Sequence, residues 1–288
     1  MRRLSIVAAA VAAMLLSASP ALASSHHPTG EYKQFAECPL SQPTVEFCVF
    51  SESSAGFFQI GKKTVPLKVP QILQGGLQEG AEGKGIFFAA ENGETLVKTP
   101  QVVPGGLLGI EAPAWWPKFL RDLFNETINN GFTGVTATVE LAGPASAIEI
   151  SPGNLVSEEG TALSLPLKIK LSNPFLGSNC YIGSNSKPVV IAFTSGETSP
   201  PPPNKPIHGS AGSLEINEAG TIITLSGGSL VNNSFAAPKA SGCGGLFSFL
   251  IDPFVDSIIG LPSPAGTNSA ILEGKIQLAA APAVKASE

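Results

Sequence analysis

Residues 163–172 alternate without interruption. Leu163, Leu165, Leu167, Ile169 and Leu171 are apolar, and Ser164, Pro166, Lys168, Lys170 and Ser172 fall between them. A period of two places one set on a buried face and the other in water, which is the pattern of a half-buried antiparallel strand. Pro166 has no N–H to give to a ladder, so the expected place for this strand is a sheet edge, or a bulge at the proline. Val135, Ala137, Val139 and Leu141 repeat the pattern, as do Leu272, Ile276 and Leu278. The run Val189 to Phe193 is apolar on both faces and reads as a central strand. "SLEINEAGTIITLSGGSLVNN" reads as three strands with turns at Asn217 to Gly220 and at Gly227-Gly228. "VEFCVF", "GFFQIG", "TVPLKV" and "GIFFAA" are weaker strand candidates. With 31 glycines, 25 prolines and only 14% charged residues, short strands joined by tight turns are favoured over long helices. The expected fold is mainly β: an antiparallel β-sandwich or barrel-like sheets with two short apolar helices.

The two helical segments stand out against that background. "PAWWPKFLRDLFNETINNG" sets Trp116, Leu120, Leu123, Phe124 and Ile128 on one stripe, with Pro117 near the start and Gly131 at the end. Such a stripe is expected to cap the core of a sheet. "GGLFSFLIDPFVDSIIGLP" is more apolar, and Pro253 after Asp252 implies a kink or a new helix capped by Asp252. Its surface is expected against the chain's own sheet, with burial in lipid or around an apolar ligand as the functional alternative. "SPPPPNKP" reads as a stiff polyproline-like loop. A boundary near the first helix divides the chain into residues 24–130, β-rich and ending in that helix, and residues 131–288, β-rich with the proline-rich loop.

The amino terminus bears on compartment. Arg2 and Arg3, the apolar run from Leu4 to Leu16, and the Ala21-x-Ala23 ending form a signal peptide over residues 1–23. The apolar run is shorter than the roughly 20 residues of a spanning helix. No later segment has that length either, so the mature chain is expected to be exported without a transmembrane helix. In an exported chain, four cysteines are most simply two disulfides. Cys38 and Cys48 are close enough for a local staple. Cys180 and Cys243 would then close a loop of about 64 residues, worth roughly 4 kcal/mol in chain entropy against roughly 3 for the shorter loop.

Chemistry is sparse. The net charge is −5, and the 17 lysines and arginines are scattered singly, which argues against nucleic acid. No nucleophile elbow, phosphate loop, HExxH or dinucleotide fingerprint is present. His208 is the one histidine beyond the mature amino terminus, so a nucleophile–histidine pair would have to use it. Glu158, Glu159, Asp252 and Asp256 could supply a motif-free carboxylate pair, although loop and helix-end solvation accounts for them as well. Cleavage after Ala23 would expose Ser24-Ser25-His26, whose amine, two amides and imidazole can surround Cu(II) in a square plane. A plain polar tail is the alternative, and no cofactor, metal or catalytic residue is assigned. An outer-membrane barrel is a further possibility, because nine residues from Leu163 to Leu171 match a tilted membrane strand. Two tryptophans and two tyrosines are too few for its aromatic girdles.

The runs "LPLKIKLSNPFLGSNCYIGS", "SPPPPNKPIHGSAGSLE" and "FAAPKASGCGG" resemble a group of exported actinobacterial proteins with no established activity. The resemblance implies secretion and transfers no functional residue. The expected function is that of a secreted, non-enzymatic binding or structural protein of the cell envelope or extracellular space, with an unknown extracellular partner. A carrier of an apolar ligand or lipid is the first alternative, and a hydrolase using a carboxylate pair is the second.

Overall fold

The computed structural model describes residues 27–80, 83–130 and 132–288. The first half of the chain contributes β1 (Phe47–Ile60), β2 (Lys63–Pro66), β3 (Gln71–Glu79), β4 (Gly85–Ala89), β5 (Gln101–Val102) and helix α1 (Lys118–Asn129). Then follow β6 (Thr136–Leu141), β7 (Glu149–Ile150), α2 (Pro152–Ser157), β8 (Leu163–Ser172), β9 (Tyr181–Ile182) and β10 (Val189–Phe193). The last third holds β11 (Ser213–Ile216), β12 (Ile222–Asn232), β13 (Ala240–Ser241), α3 (Ser248–Ile259), β14 (Ser269–Ala280) and α4 (Ala281–Ala286).

All fourteen strands join one antiparallel sheet whose main path runs β11-β12-β14-β1-β3-β4-β7-β8-β6-β5. Its other edge brings the sheet back on itself. β10 pairs with β8, and Thr194 just beyond β10 exchanges two backbone hydrogen bonds with Val231 of β12, of 3.0 and 2.8 Å. The architecture is therefore a barrel-like antiparallel sheet. Because β1 lies between β14 and β3, the boundary placed near residue 130 does not separate two sheets.

Strand β8 carries the alternation read from its sequence: the five apolar side chains from Leu163 to Leu171 are buried and those between them are half-exposed. Pro166 lies neither at a sheet edge nor in a bulge. Its carbonyl accepts from Ala142 N–H at 2.9 Å, so its missing N–H faces the same side, in the gap between the register of β7, which ends at Ser164, and that of β6, which begins at Leu167. The proline is tolerated because the β6 ladder ends there, so that only the reciprocal bond to Ala142 is forgone. Strand β10 buries Val189, Ile191 and Phe193 but leaves Val190 exposed, so it is covered on one face only.

Two expected breaks are bulges instead. Gly227-Gly228 does not end a strand. β12 runs through it with a register shift between Ser226 and Gly228 against Gly274 of β14, and Gly227 takes the left-handed φ of 67°. β1 likewise joins "VEFCVF" and "GFFQIG" into one 14-residue strand, with a shift between Ser53 and Ala55. A satellite core of Phe35, Cys48, Ile222 and Val284 lies apart from the main one, closed by the Cys38–Cys48 disulfide.

Candidate functional site

Helix α1 starts directly after Pro117, as its sequence implies, but buries no residue. It is fastened by amides. Asn125 Oδ1 accepts from Ala112 N–H at 2.9 Å and Asn129 Oδ1 from Gly105 N–H at 3.0 Å, while Thr133 Oγ1 donates to the Ile128 carbonyl at 2.7 Å. Trp116 and Phe124 pack edge-on with ring centres 5.6 Å apart, and both are half-buried. Trp115, Phe119 and Leu123 face outward, with Trp115 81% exposed. The stripe expected to cap the sheet core thus lies beside the barrel. Lys118 and Asp122 on the helix surface pair with each other.

Helix α3 is held from below. The Cys180–Cys243 disulfide anchors the segment that leads into it. Asp252 accepts from the backbone N–H groups of Cys243 and Gly242 at 2.8 and 3.3 Å, and Asp256 accepts from Ala240 N–H at 2.8 Å. The Ile259 carbonyl accepts from Lys62 N–H at 2.7 Å, and Gly244 N–H donates to the Leu176 carbonyl at 2.7 Å. Pro253 lies inside one continuous helix, so Asp252 caps no second helix. Only Val255 of α3 is buried. Its amino-terminal end projects: Leu246 is 94% exposed, Phe249 71%, and Phe247, Leu250 and Phe254 are exposed as well.

The two helices belong to one surface. Phe132, following α1, and Phe175, following β8, stack at 6.4 Å, and both are exposed. Asn173 Nδ2 ties these loops by donating to the carbonyls of Phe132 and Gly134 at 2.8 and 2.7 Å. The bond from Gly244 to Leu176 carries the connection on to α3. Eleven exposed large apolar side chains of the segments around α1 and α3 and of the Phe132 and Phe175 loops are thereby held in the open on a fixed support. The segments at its tip, residues 113–117, 132–134, 173–179 and 241–250, contain no charged residue and no histidine.

Beneath α3, two small apolar cavities of about 40 and 60 Å³ share Val103, Leu171 and Ile259. They fall short of the several hundred Å³ that a carrier site requires. Phe247, Leu250 and Phe254 wall neither cavity, and only Ile258 reaches the smaller one. A larger recess of about 340 Å³ opens where β1 begins and β14 ends, lined by Phe47, Leu77, Ile223 and Leu278 with Glu79 and Lys84 beside it. Helix α3 instead packs where β1 ends, so the recess and the apolar surface lie toward opposite ends of that strand.

The carboxylates singled out from sequence are occupied by the backbone. Glu158 Oε1 accepts from Ala211 N–H at 2.8 Å, Asp252 and Asp256 fasten α3, and Glu159 is exposed. His208 is exposed and faces Glu197 across an isolated bridge. Burial, and secondarily the Glu140 carboxylate, hold the Tyr181 phenol above its ordinary pKa. The four cysteines form the disulfides Cys38–Cys48 and Cys180–Cys243. Among the described residues no group of three or more His, Cys, Asp or Glu is placed to hold a metal ion, and no helix is long and apolar enough to cross a membrane. The signal peptide expected over residues 1–23, and Ser24-Ser25-His26, lie outside the described residues. Comparison of the chain with protein-family models, curated proteins and solved structures returned no match.

Proposed function

We propose that the chain is an exported, non-enzymatic binding protein of the cell envelope or extracellular space, and that it works through the apolar end formed by α1, α3 and the loops of Phe132 and Phe175. The observation that carries this reading is the exposure of large apolar side chains on a rigid base. At 150–250 Å² for each aromatic ring, the exposed portions sum to on the order of 1,000 Å². The largest apolar patch of an ordinary soluble monomer is about 300–600 Å². Leaving so much surface in water is unfavourable, and a function that covers it explains why the anchors beneath it are so complete. Two disulfides are compatible with an oxidising, extracellular setting. Engagement of Glu158, Asp252 and Asp256 by backbone N–H groups supports a structural role for them over a hydrolytic one.

Fractionation of the producing cells tests the reading. The wild-type chain is expected with the envelope, and the Leu246→Ser/Phe247→Ser/Phe249→Ser variant in the medium. Because these side chains contact little of their own chain, the variant should keep the wild-type unfolding free energy to within about 0.5 kcal/mol. Equal partitioning of the two proteins would count against the apolar end as the working surface.

A further inference from the structure

We infer that the surface covering this apolar end is that of a lipid bilayer, and that Leu246, Phe247, Phe249, Trp115 and Phe132 enter its headgroup and acyl boundary while the barrel stays in water. The inference rests on the reading of the apolar end as the working surface and specifies what occupies it.

Charge is the first argument. The tip segments carry no ionisable side chain, so taking them into a low-dielectric layer requires no ion to be desolvated. Of the charges nearest to them along the chain, Lys118 pairs with Asp122, Asp252 accepts from backbone N–H groups at the base of α3 and Glu111 reaches Lys63 at 3.9 Å, while Lys239 is exposed outside the tip. An uncharged surface complements the uncharged acyl boundary. It carries no cationic excess that would draw it to anionic headgroups.

Shape is the second argument. At 94% exposure Leu246 touches almost nothing of its own chain, so it is a projection and no part of a groove. A two-fold-related copy would have to receive Leu246 in a recess of this same apolar end, and neither cavity beneath α3 is walled by Leu246, Phe247 or Leu250. Acyl chains conform to any outline. Phe132 and Phe175 lie on loops away from α3, and a yielding layer can receive all of these projections together. The twelve-residue α3 is about 18 Å long, too short to span a bilayer, and its lower half is tied to the sheet. Trp115 and Lys118 stand three residues apart in sequence, and an aromatic ring with a snorkelling cation is a combination found at the interface. The mode is a monotopic one, with apolar insertion as its driving force.

The test uses the full mature chain and phosphatidylcholine vesicles, with and without phosphatidylglycerol. Sedimentation is expected to carry the protein down with the neutral vesicles, changing less than about twofold between 0.15 and 1 M salt or on adding the anionic lipid. Brominated acyl chains should quench the fluorescence of Trp115 and Trp116, the two tryptophans of the chain. Phe249→Ser together with Leu246→Ser should lower the partition coefficient at least about tenfold. Retention of both disulfides and of the unfolding midpoint will show that this variant is folded. Failure to bind vesicles, or binding only to anionic vesicles that 1 M salt abolishes, overturns the inference. If the protein instead self-associates with concentration and the same variant is monomeric, the lipid is overturned while the apolar end stands as a binding surface. Absence of both behaviours, with variant and wild type alike, defeats the two readings together.

Discussion

Replacing Cys180 and Cys243 together by alanine is expected to lower the unfolding free energy by about 4 kcal/mol, read as an earlier urea midpoint with a slope that rises as the freed unfolded chain exposes more surface. The bond closes a loop with a sequence separation of 63, so its removal returns a large conformational freedom to the unfolded chain. It also holds a position that no other covalent link secures. Cys243 N–H donates to Asp252, and Gly244 N–H donates to the Leu176 carbonyl, so the disulfide, the helix carboxylate and the loop after β8 form one support for α3. Loosening it should free the exposed amino-terminal turn of α3 from its fixed direction. Faster hydrogen exchange at Gly244 and Gly245 in the variant would report this. A loss below about 1 kcal/mol would mean that the support does not depend on the bond.

Phe193→Ala is expected to cost about 3–5 kcal/mol, because a fully buried ring is lost and the cavity it leaves can collapse only in part. Phe193 is the last residue of β10 and has no exposed surface. Next to it, Thr194 makes the bridge to Val231 by which the sheet returns on itself. A void here lies beside the one narrow seam of the barrel-like sheet, whereas the same change in the middle of β8 would be braced by strands on both edges. Urea unfolding will measure it, and a cost near 1 kcal/mol would show that the seam can repack.

How much of this was legible in the sequence depends on what each element rests on. Strand β8 was readable because its burial is set by alternation, and the same holds for β6. The disulfide pairing followed from cysteine spacing and from the expectation of export. Strand β3 left no such trace. Its "QILQGGLQE" breaks the alternation with buried Gln71, Gln74, Gly75 and Gly76. The side-chain N–H groups of the two glutamines donate to the carbonyls of Val97 and Glu94 from a distant loop, and Gln71 Oε1 is left without a partner. The Gly227-Gly228 pair reads as a turn by local propensity, and only its partner β14 makes it a bulge. Pro166 reads as an edge signal, and only the gap between β7 and β6 makes it tolerable inside the sheet.

The apolar end is the sharpest case. The stripe of α1 and the run of α3 were visible as apolar patterns, and periodicity tells which residues share a face but not what that face meets. The default is the chain's own core. What overrides it is tertiary: Asn125, Asn129, Asp252 and Asp256 hold the helices through polar contacts and leave their apolar sides outward. One sign of this outward placement is present in the sequence. Glycine-flanked, charge-free runs such as "CGGLFSFL" and "NPFLGSN" set large apolar residues at turns, where a core is seldom reached.

Acrylamide quenching of the tryptophan fluorescence of the free, monodisperse protein tests the central claim most directly, since both tryptophans lie just ahead of α1 on the apolar end. With Trp115 81% exposed and Trp116 half-buried, the account predicts red-shifted emission and efficient quenching of at least half of the signal, lost on Trp115→Phe. Blue-shifted emission shielded from acrylamide in a protein shown to be monomeric would place these side chains in a packed core and contradict it.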